Sequence, residues 1–118
     1  MSKKQSYKKL VGQFAEAAEK SYEAMLKGDW RENNRWVKRQ VRAFQQIIEI
    51  GDIARDELLT LLEDKNLAIA KSAATFSLKY APEKSIATLT RIAEEPGMLG
   101  FEAKQALQRW EEGSWQLE

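Results

Sequence analysis

Arg31, Arg35, Lys38, Arg39 and Arg42 recur at i, i+4, i+7, i+8 and i+11. On a helix that spacing sets them all on one side. Most are arginines, whose planar guanidinium meets a carboxylate or a phosphate through two parallel hydrogen bonds. The stripe has two readings. It is an electropositive strip for an acidic protein surface or a phosphate backbone, or it is a solvated face of the kind many helices carry. Two tryptophans belong to the same stretch. Trp30 precedes the stripe, and Trp36 lies one place off the apolar line Val37, Val41, Phe44 and Ile48. Tryptophan beside arginine is the composition of binding hot spots, so both are candidate anchors. Internal packing is the competing role, since large apolar side chains are usually covered.

Reaction chemistry finds little to work with. The chain has no cysteine and no histidine. That removes thiolate catalysis, disulfides, Cys-based zinc or iron–sulfur sites, the usual general base and the commonest transition-metal ligand. The adjacent or near carboxylates are Asp52/Asp56, Glu94/Glu95 and Glu111/Glu112. A two-carboxylate hydrolase needs its acids facing each other across a cleft. Asp52 and Asp56 are better explained as a helix cap and a first-turn acid, and Glu111/Glu112 as a solvated helix end. Gly97 and Gly100 flank Met98-Leu99 as a turn; a phosphate-binding loop would continue into Lys-Ser/Thr. No catalytic residue, cofactor site or metal site is assigned, and the chain reads as a non-enzyme.

These residues belong to a chain of 118 residues, 43% hydrophobic and 31% charged, with two prolines and six glycines. Such a composition is that of a helix-rich globular domain, long enough to bury a core without staples. The net charge of +1 names no partner by itself. The charge is unevenly spread: residues 1–59 hold 12 basic against 9 acidic residues, and residues 60–118 hold 7 against 9. The absence of cysteine fits the cytoplasm. Lys3, Lys4, Lys8 and Lys9 are not followed by an apolar run, so neither a signal peptide nor a membrane span is expected.

The apolar periodicity predicts helices throughout. Tyr7, Leu10, Val11, Phe14, Ala18, Tyr22 and Met25 mark the first, stopped at Gly28. Asn33 or Asn34 is available to cap the second, which Gly51 ends. Asp52 is placed to cap a third helix carrying Leu58, Leu59, Leu61 and Leu62 and ending near Asp64. Asn66 caps a fourth that runs to about Tyr80, with Ile69, Ala73, Phe76 and Tyr80 on its apolar face. Pro82 opens the fifth, where its missing N–H costs nothing. Pro96-Gly97 breaks it. The sixth carries Phe101, Ala103, Ala106, Leu107 and Trp110 and stops at Gly113. Residues 1–6 are expected to fray, and the tail 114–118, with Trp115 and Leu117, to dock on the body. No period-2 run argues for a strand.

Three antiparallel helix pairs result, and the second and third repeat at close to 30 residues, a plausible helical-repeat period. The expected fold is therefore all-α: three pairs stacked as a short solenoid in a single domain, 1–118, with Glu57 to Tyr80 as the middle unit.

Leu58-Leu59-Thr60-Leu61-Leu62-Glu63-Asp64, then Ile69-Ala70-Lys71-Ser72-Ala73-Ala74 and Leu78, resemble a HEAT or armadillo unit, which reads LLxLLxD, a turn, VRxxAAxxL. Ile69 stands for the Val, and Lys71 lies one place after the usual Arg. Over roughly residues 7–113 the chain also resembles a family of small bacterial HEAT-like repeat proteins of unknown function. The matching features are Tyr22 with Gly28-Asp29, Asn34, Gly51, the Ala73-Ala74 pair, Pro82-Glu83, and Ala106-Leu107-x-x-Trp110 with Gly113. Members of that family look like immunity proteins, which neutralise contact-delivered bacterial toxins by direct binding.

The resemblance implies a cytoplasmic immunity protein, monomeric when free, whose partner is a cognate protein toxin such as a nuclease domain. Occlusion of the toxin would be its mechanism. In stacked pairs the second helix of each pair often lines the concave face. The expected contact residues are therefore Arg35, Arg39 and Arg42 on the second helix, Lys71 and Thr75 on the fourth, and Gln105, Gln108 and Arg109 on the sixth, with Trp30 or Trp36 as anchor. A nucleic-acid-binding HEAT-like module and a general protein–protein scaffold are the alternatives.

Overall fold

The computed structural model describes residues 3–113, with side chains from residue 7 onward. Its helices are α1 (Lys3–Leu26), α2 (Trp30–Ile50), α3 (Asp52–Leu59), α4 (Leu67–Phe76), α5 (Pro82–Ile92) and α6 (Gly97–Glu112), with a 3-10 turn at Thr60–Glu63. The described residues contain no strand, and the chain fits an all-α helical-repeat fold. None of these helices is long and apolar enough to cross a membrane. The expected docking of Trp115 and Leu117 falls outside the described residues; of residues 1–6, expected to fray, 1–2 lie outside them too and 3–6 already belong to α1. The chain divides into two compact units, Met1–Leu61 and Leu62–Glu118.

In the first unit α1 and α2 form a hairpin whose turn is closed by two neighbouring residues. Gly28 takes the left-handed conformation, φ +76°, which a side chain would oppose. Asp29 then serves both helices. Its N–H donates to the Ala24 carbonyl at 2.9 Å, closing α1, and its Oδ1 accepts the Glu32 N–H at 3.1 Å, capping α2. The cap is thus Asp29, and Asn33 and Asn34 lie inside the helix. Asp29 prevails because the left-handed Gly28 reverses the chain at once, so the next residue is already at the helix start. At the other end Gly51, with φ +113°, precedes α3 in the capping position, and Asp52 is the first helical residue.

The buried face of α2 is turned one position from the sequence expectation. Gln40, Ala43, Phe44 and Ile47 are buried, Trp36 is half-buried on the same line, and Val37 is 38% exposed. Close helix approach explains the shift. Ala17, Ala18 and Ala43 are all buried, so the hairpin closes on small side chains rather than on the branched Val37 and Val41. α3 packs on both α1 and α2 through Ala54 and Leu58.

In the second unit Asn66 caps α4 as expected, its Oδ1 accepting the N–H groups of Ala68 at 2.9 Å and Ile69 at 3.3 Å. α4 ends at Phe76, and residues 77–80 form a turn closed by the Ala81 N–H on the Ser77 carbonyl at 2.9 Å. Pro82 opens α5. The core is Leu62, Ile69, Leu78, Leu89 and Ile92 with a set of alanines from α4 and α6.

The expected turn at 97–100 is instead the first turn of α6. A Cβ on Gly100 would lie 1.9 Å from the Glu95 carbonyl oxygen, so only glycine lets α6 meet the end of the preceding segment. That contact selects Gly100, Ala103 and Ala106 as the buried line. It leaves Phe101, one residue and about 100° further round, 54% exposed instead of in the core.

Candidate functional site

The site worth attention in the first unit grows from the Asp29 cap. Capping holds Glu32 in the first turn of α2, and the helical repeat then brings Arg35 and Trp36 against its carboxylate. Arg35 donates to Glu32 Oε2 at 2.7 Å. The Trp36 indole N–H donates to the same oxygen at 3.1 Å. One turn on, the Arg39 guanidinium carbon sits 4.7 Å from the Trp36 ring centroid. The indole is therefore held at its N–H by Glu32 and on its face by Arg39. Each contact is weak by itself, since solvent screens an exposed ion pair and an exposed cation–π contact alike. Their combined effect is order: the side chains of Glu32, Arg35, Trp36 and Arg39 share one arrangement.

The electrostatics follow the geometry. The Arg35 hydrogen bond holds the Glu32 carboxyl below its ordinary value, and the indole N–H works the same way, against partial desolvation and the nearby Asp29. Glu32 neutralises only Arg35. Among the described residues Arg31, Lys38, Arg39 and Arg42 enter no ion pair. No acidic residue occurs between Asn33 and Ile48 to compensate them locally.

Two open depressions map this surface. One, of about 570 Å³, runs along α2 between the side chains of Arg31, Glu32, Arg35, Lys38 and Arg42. The other, of about 270 Å³, lies between α1 and α2 and is lined by Gln13, Glu16, Trp36, Arg39, Arg42 and Gln46, with Ala43 at its base. Arg39 and Arg42 belong to both. The arrangement offers an aromatic ring, guanidiniums that enter no ion pair among the described residues, primary amides and the Glu16 carboxylate.

Arg35, Trp36, Arg39 and Arg42 thus come together as one site. Trp30 does not join them. It is the first residue of α2, 61% exposed, and lines neither depression. In the second unit Lys71 is engaged internally: its ammonium pairs with Glu102, joining α4 to α6. Thr75 Oγ1 donates to the Lys71 carbonyl at 2.8 Å. Gln105, Gln108 and Arg109 lie on the exposed face of α6, and Gln108 donates to Glu112 at 3.0 Å.

Three acids were missed by sequence reasoning. Glu32 was findable, because Arg35 and Trp36 stand three and four residues after it. Glu16 and Glu102 had no local signal, since each meets its neighbours across a helix–helix contact.

No family model matches the chain, and no curated protein does. Among solved structures it is similar to the crystal structure of the protein RPA1889 from Rhodopseudomonas palustris CGA009. The match has a TM-score of 0.85 and 22% sequence identity, over 95% of this chain and 93% of that one. At that identity the likeness carries the fold alone.

Proposed function

We propose that this chain is a non-enzymatic binding protein that acts as an immunity protein, neutralising a cognate bacterial toxin in the cytoplasm by direct binding and occlusion. The observation that supports the reading is the face of α2. It carries cations that no carboxylate of the first unit pairs, beside an indole already fixed in one orientation. Interfaces draw their affinity from such ordered aromatic and arginine anchors, because little side-chain entropy remains to be lost on binding. Electrostatic complementarity would speed capture of an acidic toxin surface.

The test is co-expression with the product of the adjacent open reading frame, followed by co-purification. Restored growth and co-elution are expected, and both should be lost when Arg39 and Arg42 are changed to Glu. A neighbouring product that is harmless, or that does not associate, removes the immunity reading.

A further inference from the structure

The two depressions on the first unit differ in one respect that bears on what they bind. Along the ridge of α2, over a rise of about 16 Å from Arg31 to Arg42 at 1.5 Å per residue, the acid that lines the depression, Glu32, is paired with Arg35. Across the groove towards α1 the acid is not paired. Glu16 faces the same space as Arg39 and Arg42, yet pairs with neither among the described residues. The exposed side of α1 continues with Lys20 and Glu23, and Glu19 is half-buried beside them. The positive strip is therefore one helix wide, with the Glu16 carboxylate at one margin and mixed charge beyond it.

We infer that this strip docks an acidic segment of a protein and not a nucleic acid. The inference deepens the binding role proposed above by naming the partner's chemistry. A nucleic acid presents phosphates along every path its backbone takes, so the strand flanking the strip would meet Glu16, and like charges brought together cost affinity. A protein surface can place carboxylates opposite the arginines and a cation or an amide opposite Glu16, which turns the same acid into a source of specificity. The spacing suits a helical partner. Arg31, Arg35, Lys38 and Arg42 advance by four, three and four residues, the steps at which one face of an acidic helix repeats. The groove takes a side chain from the flank of such a helix: a cation or an amide set opposite Glu16, while the carboxylates meet the arginines along the ridge. About 270 Å³ accommodates one side chain of that size.

The test uses the whole purified chain and three labelled probes read by fluorescence anisotropy. These are a helical peptide with Glu at i, i+4, i+7 and i+11 and Lys along one flank, the same peptide with Gln for Glu, and a short mixed-sequence DNA duplex. The Glu peptide is expected to bind at least about ten-fold more tightly than the duplex at about 50 mM salt, and to weaken as salt rises. The Gln peptide and the R39E/R42E variant with the Glu peptide should each lose about ten-fold. Glu16→Lys should narrow the preference by strengthening duplex binding. Duplex binding equal to or tighter than the Glu peptide overturns the inference. So does Glu-peptide affinity that the arginine changes leave alone, or no binding of the Glu peptide at all. Glu16, Arg39 and Arg42 are all exposed, and circular dichroism of each variant checks that the helices are retained. Failure of the co-expression test with success here would remove the toxin and leave the acidic partner.

Discussion

Glu32 Oε2 accepts the Trp36 indole N–H at 3.1 Å and the Arg35 guanidinium at 2.7 Å, so one carboxylate oxygen orders both residues. Its ionised form is the one these donors favour, and they hold its carboxyl below the usual 4.5. The group's contribution is therefore present above the unfolded-state value and is lost as pH falls through the lower folded value. The indole N–H resonance of Trp36 should shift with a midpoint below 4.5. Glu32→Gln should abolish that titration while leaving the melting temperature nearly unchanged, because the group is exposed. A midpoint at or above the ordinary value would break the proposed bracing.

Gly100→Ala should destabilise the chain by about 3 kcal/mol, the upper range for overpacking. The added methyl would strike the Glu95 carbonyl, a backbone atom that cannot rotate aside. Gly12→Ala provides the contrast. It lies inside α1 with nothing within 4 Å of its would-be Cβ, and should stabilise by about 0.5–1 kcal/mol through helix propensity. Urea unfolding of the two variants measures both signs.

Asn66→Ala should cost about 1–2 kcal/mol, since one side chain caps two N–H groups at the start of α4. Asn66→Asp should retain most of the stability, as a carboxylate caps equally well and suits the helix dipole. Thermal unfolding followed at 222 nm separates the two outcomes.

Lys71 and Glu102 join α4 to α6 with side chains 17% and 30% exposed. Lys71→Met and Glu102→Leu should each destabilise, and the double variant should lose about 1 kcal/mol less than their sum, because neither charge is then left without its partner. Additive losses would show that the pair contributes no coupling.

Arg39→Ala should leave stability within about 1 kcal/mol, the size of an exposed cation–π contact. It should nevertheless change Trp36 fluorescence, as the ring face becomes open to water. An unchanged emission spectrum in a Trp36-only background would mean that Arg39 does not rest on the ring in solution.

Much of this was legible locally. Asn66 and Pro82 were read correctly as the starts of α4 and α5, because capping and the missing proline N–H depend on a few neighbouring residues. The basic face of α2 follows from spacing alone. The rotation of its buried line did not: Val37 and Val41 are the more hydrophobic choice, and only the neighbouring α1 alanines favour the line through Ala43. Phe101 was misplaced for the same kind of reason.

The amino-acid sequence by itself determined the helices, most of their ends and the one-sided arginines, because each depends on contacts within about four residues along the chain. Tertiary structure decided which neighbour each side chain met. It turned α2 so that Trp36 lies half-buried beside the groove, set Glu16 opposite Arg39 and Arg42, and paired Lys71 with Glu102. Those outcomes depend on how closely two helices approach, which small residues on the facing helix control and which no single helix encodes. The face of α2 is therefore a feature whose charge is local and whose shape, with Glu16 at its margin, belongs to the packed hairpin.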